Sequence, residues 1–334
     1  MKLYRLFIIC LLVLLLSACQ EPPTPVINTV SPPDASSQPP TPTKEKPTAT
    51  VVPPTPTEAV SDEPETTPTP ETAPLPVYAG FRLEEVGFDT PESVLYNAED
   101  DVYLVANING SPSAQDGNGF ISIVSPEGDL MTLKWIDGAA EGVTLNAPKG
   151  MALVPTALYV ADIDTIRLFD RVTGAPLDDF TVPGSKFLND VAADTTGTVY
   201  VSDSGANAVY RLTPDGVVED VMPAGSIQGP NGLAIWDNKV YVTSDNGVFA
   251  IEDGVLREVF TVPQGSLDGL VFLNSDNILV SSWAAQVVYL ADAGGSVVVV
   301  SDVPGPADIG FDPSRGYVLI PLFNDNILDV RPLP

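Results

Sequence analysis

The sequence predicts an all-β fold, a six-bladed β-propeller with four-stranded blades, behind an N-terminal segment of different character. Three observations carry this prediction. A short core of β-branched and aromatic residues recurs about every 40 positions after residue 100. Clusters of Gly, Asn, Asp and Pro, which are typical of turns, separate these runs. The last unit is one strand short, as expected when a strand from the other end of the chain closes the ring.

Residues 1–18 have the features of a secretory signal peptide. Lys2 and Arg5 precede an apolar run, Leu6 to Leu16, that is too short for a typical membrane-spanning helix. The run ends in Leu-Ser-Ala before Cys19, a pattern that resembles the lipobox of bacterial lipoproteins. The resemblance implies lipidation of Cys19 and anchoring to the bacterial cell envelope, at the outer membrane or cell surface. The alternative is an ordinary signal peptide that contains a cysteine.

Residues 19–76 form a predicted linker. Half of the chain's 34 prolines lie between positions 20 and 76, among Thr, Ser, Glu and Val, without apolar periodicity. Such a segment cannot bury a core and is expected to be disordered, so it would hold a folded head away from a membrane. The two cysteines, Cys10 and Cys19, both precede the head, which therefore has no disulfide.

Residues 77–334 contain six repeats and form the predicted propeller. The middle residues of the repeated cores are spaced 56, 41, 41, 38 and 39 positions apart. The long first interval holds two insertions, at 107–119 and 135–146. The segment 81–88 has strand character, and we expect it to pair near 326–331 as the outer strand of the last blade. The middle residues are Tyr103, Tyr159, Tyr200, Tyr241, Leu279 and Val318; the tyrosines are expected to pack in the core.

The residues that open the six first strands form a predicted ring. First strands line the central channel of a propeller, so these chain-distant positions converge at one mouth. Two carboxylates and two amide oxygens suit a hard divalent cation, most of all calcium. Counting back 11 positions from each core, or 10 where the turn is shorter, identifies Glu92, Lys149, Asn189, Asn231, Asp268 and Ala307.

Two alternatives apply to this ring. Asn and Asp often open strands because they satisfy backbone groups in turns, so such a ring can exist without any metal. Lys149 either points into the ring, where its ammonium would pair with Glu92 or Asp268 and oppose a cation, or turns outward along the mouth. A further set of carboxylates follows the second strands and is expected to brace loops: Asp162, Asp203 and Asp245.

Charge and composition exclude several classes of function. The head carries 36 acidic and 11 basic residues, and its field repels nucleic acid. It contains neither His nor Cys, which excludes a typical zinc site and a Ser–His–Asp or Cys–His relay. We expect a monomer that binds a small molecule and contacts the membrane only through its lipid.

Four motifs, TPES at 90–93, LND at 188–190, PNGL at 230–233 and LDGL at 267–270, resemble the regucalcin/gluconolactonase (senescence-marker-protein) family. That family is a six-bladed propeller with one divalent metal at the channel mouth. The resemblance implies that Glu92, Asn231 and Asp268 are metal ligands, and that Asp268 is the general base of lactone hydrolysis. It also implies that Asn189 contacts metal-bound water or substrate.

Two departures from the family separate two functional hypotheses. Ser93 stands where the family usually has glycine, and Lys149 occupies a position without a known metal role, so we assign it to substrate binding. The first hypothesis is a metal-dependent hydrolase of a lactone or related ester. The second is a non-catalytic propeller that binds a sugar-like ligand or a protein on the same face.

Overall fold

The computed structural model describes residues 79–334. These residues form strands and turns, so none of them belongs to a helix that could cross a membrane. The predicted signal peptide, Cys19, the linker to residue 76 and the first two residues of the predicted head lie outside the described residues.

Six antiparallel four-stranded sheets form the blades, which confirms the predicted six-bladed propeller. The first three blades comprise β2 to β13: Pro91–Asn97, Val102–Asn107, Phe120–Val124, Leu130–Asp137; Pro148–Val154, Ala157–Asp162, Thr165–Asp170, Pro176–Thr181; Leu188–Ala193, Val199–Asp203, Ala208–Leu212, Val218–Met222. The last three comprise β14 to β24, with β1 (Phe81–Leu83) as the fourth strand of the sixth: Pro230–Trp236, Lys239–Ser244, Gly247–Glu252, Val255–Thr261; Leu267–Phe272, Ile278–Ser282, Val287–Asp292, Gly295–Val300; Gly310–Asp312, Tyr317–Leu322, Ile327–Pro332.

The repeated cores form the second strand of every blade. These strands are the most thoroughly buried because both of their faces pack against neighbouring blades. Between the sixth and first blades, for example, Tyr103 and Val105 pack with Leu319 and Leu328. The outer strands, in contrast, are largely exposed, as in Pro176–Thr181. Stability therefore comes from apolar layers between blades.

Strand β1 closes the ring. It pairs antiparallel with β24, with Phe81 opposite Val330, and Arg82 makes an ion pair with Asp329 at 3.5 Å. The predicted partner strand is confirmed, but the predicted length, 81–88, is wrong. Pairing ends at Leu83 because Glu85 and Gly87 take positive φ values of 54° and 102°, which turns the chain away from an extended path.

The first strands of the first five blades each contain a β-bulge at the predicted ring position. In the first blade Pro91 pairs with Asn107 and the next pair is Ser93 with Ala106, so Glu92 is the extra residue. In the other four blades two residues are skipped, as between Pro148 and Met151. A bulge re-aims side chains out of the regular alternation. This local irregularity directs the ring residues to the channel mouth.

The two insertions of the first interval bind one another. Gly119 N donates to Leu145 O at 3.1 Å, and Gly138 N donates to Gly119 O at 2.8 Å. Gly117 N donates to Asn146 Oδ1 at 3.1 Å. The loop at 107–119 is therefore held by a second loop above the channel mouth.

Candidate active site

A cavity of about 670 Å³ occupies one mouth of the channel. Five of the six predicted ring residues line it, each supplied by a different blade: Glu92, Lys149, Asn189, Asn231 and Asp268. The sixth, Ala307, is completely buried and does not reach the cavity. Positions that lie far apart in the sequence thus share one site, as the repeat register predicts.

Three oxygens at this cavity are buried without a hydrogen-bond partner: Glu92 Oε2, Asn231 Oδ1 and Asp268 Oδ1. An unsatisfied buried acceptor is costly, and such groups are rare in native proteins. A cation would satisfy all three, and carboxylate and amide oxygens are the donors that calcium prefers. Among residues 79–334 there is no group of three or more Asp, Glu, His or Cys side chains suited to a metal ion, so the protein would supply two carboxylates and one amide.

Trp283 holds one oxygen of Asp268 and leaves the other free. Its indole Nε1 donates to Asp268 Oδ2 at 2.7 Å, while Oδ1 has no partner. Burial, followed by the negative charge of Asp308, raises the pKa of Asp268 to about 7, against the lowering effects of Trp283 and Asn231. A carboxyl with a pKa near neutrality can accept a proton from a reacting group.

Glu92 lies among like charges. Burial raises the pKa of Glu92 well above its usual value, and the charges of Asp268 and Asp308 raise it further. Lys149 acts in the opposite direction. The site thus brings together buried carboxyl groups whose negative charges have too few positive partners. A cation would stabilise the ionised form of these groups.

Lys149 points into the site, which decides between the two orientations open from the sequence. It is only 1 % exposed, its Nζ donates to Ala147 O at 2.9 Å, and the ammonium lies 4.5 Å from the centre of the Phe187 ring. Burial lowers the pKa of Lys149, and the charges of Glu92 and Asp162 partly offset this effect. The backbone carbonyl and the aromatic face stabilise the ammonium without an ion pair at contact distance.

Asn189 has one atom left for a ligand. Its Nδ2 donates to Ser204 Oγ at 3.0 Å, and that hydroxyl in turn donates to Pro230 O at 2.6 Å. The orientation of the Asn189 side chain is therefore fixed, and its Oδ1 remains to accept a hydrogen bond from water or substrate.

Two carboxylates below the ring were not predicted, Asp190, which is buried, and Asp308, which is half-buried. Asp190 accepts hydrogen bonds from Leu233 N and Val191 N at 2.5 and 2.6 Å, and Asp308 accepts one from Ser93 Oγ at 2.6 Å. Both line a second cavity of about 290 Å³ toward the other end of the first strands. Regular strand alternation would turn Asp190 away from the channel, but the bulge in its strand brings consecutive residues into it. Asp308 precedes the short first strand of the sixth blade and forms an isolated parallel bridge with Ser93.

Glycine is the sequence signal that could have revealed this lower layer. Gly150, Gly232 and Gly269 occupy the equivalent positions of three other blades, where a Cβ would come within about 2.1 to 2.2 Å of Asp190 Oδ1, Asp268 O and Ile309 N respectively. Only glycine permits first strands to approach so closely. Three glycines at one repeat position therefore mark the layer in which the channel is narrowest.

The carboxylates after the second strands divide into two kinds. Asp162 accepts from Ala147 N at 2.8 Å, and Asp203 accepts from Lys186 N at 2.8 Å, so both brace the preceding loop as predicted. The same role was wrong for Asp245, because the position equivalent to theirs is Ser244, opposite Pro230. Asp245 lies one residue further along, exposed at the rim of the cavity.

No protein-family model matches the sequence, and no curated protein matches it significantly. The fold is similar to several solved structures. A gluconolactonase from Xanthomonas campestris has a TM-score of 0.57 and 20 % identity over 74 % of this chain and 87 % of its own. A structural-genomics target described as a candidate gluconolactonase has a TM-score of 0.56 and 18 % identity over 73 % and 89 %.

A catalytically inactive virginiamycin B lyase from Staphylococcus aureus, with one histidine replaced by alanine and solved with quinupristin, has a TM-score of 0.52 and 13 % identity over 75 % of this chain and 98 % of its own. At these identities the likeness shows a shared fold and not a shared reaction. The chain is a six-bladed propeller of the architecture that gluconolactonase-type structures adopt.

Proposed function

We propose that the propeller is a cation-dependent hydrolase of a lactone or a related ester. The observation that carries the proposal is the convergence of three unpartnered buried oxygens, from Glu92, Asn231 and Asp268, at one cavity. These three residues would hold a divalent cation, most suitably calcium, whose positive charge would polarise the substrate carbonyl. The gluconolactonase-type architecture of the fold agrees with this chemistry.

The chain's own residues divide the remaining work. The lone pair of Asp268 Oδ1 that does not face the cation would accept the proton of a water molecule whose oxygen attacks the carbonyl carbon, and Trp283 keeps that carboxylate in place through Oδ2. Asn189 Oδ1 accepts a hydrogen bond that orients the water or the substrate. When the ring C–O bond breaks, the proton on Asp268 passes to the leaving alkoxide, which gives a hydroxy acid. Lys149, from the blade next to that of Glu92, provides a fixed positive charge at the cavity.

The histidine-free composition separates this mechanism from that of one structural neighbour. The virginiamycin B lyase is catalytically inactive when one of its histidines is replaced by alanine. This chain contains no histidine, so it has no equivalent of that residue. The hydrolysis proposed here uses a carboxylate as its base and needs no histidine.

Replacing Asp268 with Asn tests the proposal. Asn keeps the shape but removes the base and one charged ligand, so calcium should no longer raise the melting temperature and lactone hydrolysis should fall at least about 100-fold. Calorimetric titration with calcium and a pH-stat assay measure the two effects. The matched control is Asp276→Asn, an exposed carboxylate of the same blade, which should change neither.

Three results would contradict this proposal. One is purified protein that neither contains nor binds a divalent cation. Another is an Asp268→Asn protein with unchanged hydrolysis. The third is ligand binding that depends on Lys149 in the absence of any metal. The last result would instead support a non-catalytic propeller with a lysine-centred pocket for an anionic ligand.

We also propose export and lipid anchoring through Cys19, supported by the lipobox-like sequence that precedes it. Cys19→Ser should release the protein from membrane fractions, because residues 20–76 contain no apolar stretch to retain it. Immunoblots of soluble and membrane fractions measure this release. Membrane association that persists in the variant would show that another anchor exists.

A further inference from the structure

The ring residues form the floor of the cavity and share one position of the repeat. The residues that form its wall also share one repeat position. The residue opposite the start of each first strand is Asn107 in the first blade, Asp162 in the second, Asp203 in the third and Ser244 in the fourth. Ser282 and Leu322 are their equivalents in the last two blades. The next residue of each blade forms a second layer above the ring. In blade order this layer reads Ile108, Ile163, Ser204, Asp245, Trp283 and Phe323.

This layer is divided by chemistry. Three of its members line the cavity as one apolar side, from the fifth blade through the sixth to the first: Trp283, Phe323 and Ile108. The two polar members that line the cavity, Ser204 and Asp245, belong to the adjacent third and fourth blades. The ring residues are thus polar in all five blades that reach the cavity, whereas the wall above them is apolar on one side only.

The apolar wall is rigid. Trp283 and Phe323 meet edge to face, with ring centres 5.3 Å apart. Phe323 also packs on a buried cluster of Ile108, Ala147 and Ile163. Pro112, from the loop at 107–119 that the second insertion holds, joins the lining of the cavity. The wall is therefore a preformed surface and not a set of free side chains.

Four polar residues line the cavity outside the ring, namely Ser204, Gln228, Asp245 and Ser266, and none of them belongs to the apolar side formed by Trp283, Phe323 and Ile108. The indole N–H of Trp283 is bound to Asp268, and the Ser204 hydroxyl already donates to Pro230 O. A polyhydroxylated lactone with its carbonyl on the ring would place hydroxyls against Trp283, Phe323 and Ile108, where they would lose water without gaining a partner. An alkyl or aryl substituent would instead bury apolar area there.

We infer that the substrate is a neutral lactone or ester that carries an apolar substituent, with the carbonyl on the oxygen ring and the substituent against Trp283, Phe323 and Ile108. This inference rests on the proposed function for the reaction, and on the wall alone for the apolar substituent. The volume of about 670 Å³ lies within the range of pockets that take ligands considerably larger than an unsubstituted lactone ring.

Three lactones with the same six-membered ring test the inference. With calcium present, δ-decalactone, which carries a pentyl chain, should exceed unsubstituted δ-valerolactone in kcat/KM by at least about tenfold, because several CH₂ groups become buried. Glucono-δ-lactone should be the poorest of the three. Phe323→Ala should lower kcat/KM for δ-decalactone far more than for δ-valerolactone, so that most of the advantage of δ-decalactone disappears, and Phe323→Leu should remove less of it.

The matched control is Phe311→Ala, which changes a phenylalanine of the same blade at the opposite mouth and should leave the substrate preference intact. Hydrolysis in which glucono-δ-lactone is preferred, or in which Phe323→Ala has no selective effect, would overturn the inference and leave the proposed function standing. If none of the three lactones is hydrolysed, the proposed function fails. Thermal-shift titrations then decide the inference, because selective binding of δ-decalactone supports it and equal or absent binding refutes it.

Discussion

Lys149 places a buried ammonium in the cavity that also contains the unpartnered oxygens of Glu92, Asn231 and Asp268. Its charge interacts with Glu92 in both directions, since each residue shifts the pKa of the other toward the charged form. The hydrogen bond to Ala147 O and the face of Phe187 allow the ammonium to remain inside the cavity. Among the single residues of the site, Lys149 is therefore the one whose positive charge disfavours cation binding.

Removal of the charge should therefore strengthen cation binding. Lys149→Met keeps most of the side-chain volume and should tighten calcium binding by about 1–3 kcal/mol, or roughly 5- to 150-fold. Isothermal titration calorimetry measures the change. Lys186→Met, at an exposed lysine on the approach to the third blade, is the control and should have little effect. Weaker calcium binding in Lys149→Met would mean that the ammonium supports the site.

Bulges and glycines position the site at the scale of single strands. The bulges turn Glu92 and its equivalents into the channel, and the glycines that follow three of them let neighbouring first strands approach. Gly232 makes such a close approach to a proposed metal ligand, because a Cβ at this position would lie 2.1 Å from the carbonyl oxygen of Asp268. The position of Asp268 thus depends on a residue of the preceding blade.

Gly232→Ala should displace the strand that carries Asp268. We expect a loss of about 1–3 kcal/mol of folding stability from the overlap, together with a weaker calcium-induced rise in melting temperature. Differential scanning calorimetry with and without calcium measures both. Gly294→Ala, in an exposed turn where the nearest atom is a carboxylate oxygen of Asp292 at 3.1 Å, should behave like the native protein. Similar effects of the two substitutions would argue against close strand approach as the cause.

The repeat register explains how much of the site the sequence could predict. The turn clusters and the repeated β cores identify equivalent positions in the six blades. Counting back from each core therefore predicted that Glu92, Asn231 and Asp268 lie together. Asp190 could not be predicted in this way, because strand alternation predicts the wrong side for a residue inside a bulge, and Asp308 could not, because it lies before the first strand of its blade. Trp283 and Phe323 lie in turns after the second strands, and their shared position can be identified only when the paired residues are known.

The predicted length of β1 was wrong for a similar reason, because the positive φ values after Leu83 leave no periodic signal in the sequence.

At the scale of the whole molecule, the channel brings together carboxyl groups that keep their protons to higher pH than free carboxyls do. Burial raises the pKa of Asp268 and of Asp308 to about 7, and it raises the pKa of Glu92 and Asp190 as well. In the unfolded chain such aspartates titrate near 3.8. Between these values the folded protein binds more protons than the unfolded chain, so stability falls as the pH rises.

In the presence of a chelator, the melting temperature should therefore decrease by several degrees from about pH 4 to about pH 7. Calcium should restore most of the loss near pH 7, because the cation binds the ionised oxygens. Asp308→Asn should flatten the profile, since it removes one buried carboxyl and relieves its neighbour. Calorimetric scans at half-unit pH intervals measure these effects. A melting temperature that rises between pH 5 and 7 without calcium would contradict this account.

The seam between β1 and β24 also sets an order for folding. Arg82 and Asp329, which meet across it, are 247 positions apart in the sequence, whereas consecutive strands within each of the other blades are joined by local connections, of which the loop at 107–119 is the longest. Local hairpins form with little loss of chain entropy, but the seam requires both ends of the propeller to be in place. Blades should therefore accumulate first and the circle should close last. During unfolding we expect the reverse order, in which the native ring first opens at this three-residue strand. Amide hydrogen exchange in β1 should therefore report an opened ring at a lower free-energy cost than unfolding of the blades themselves.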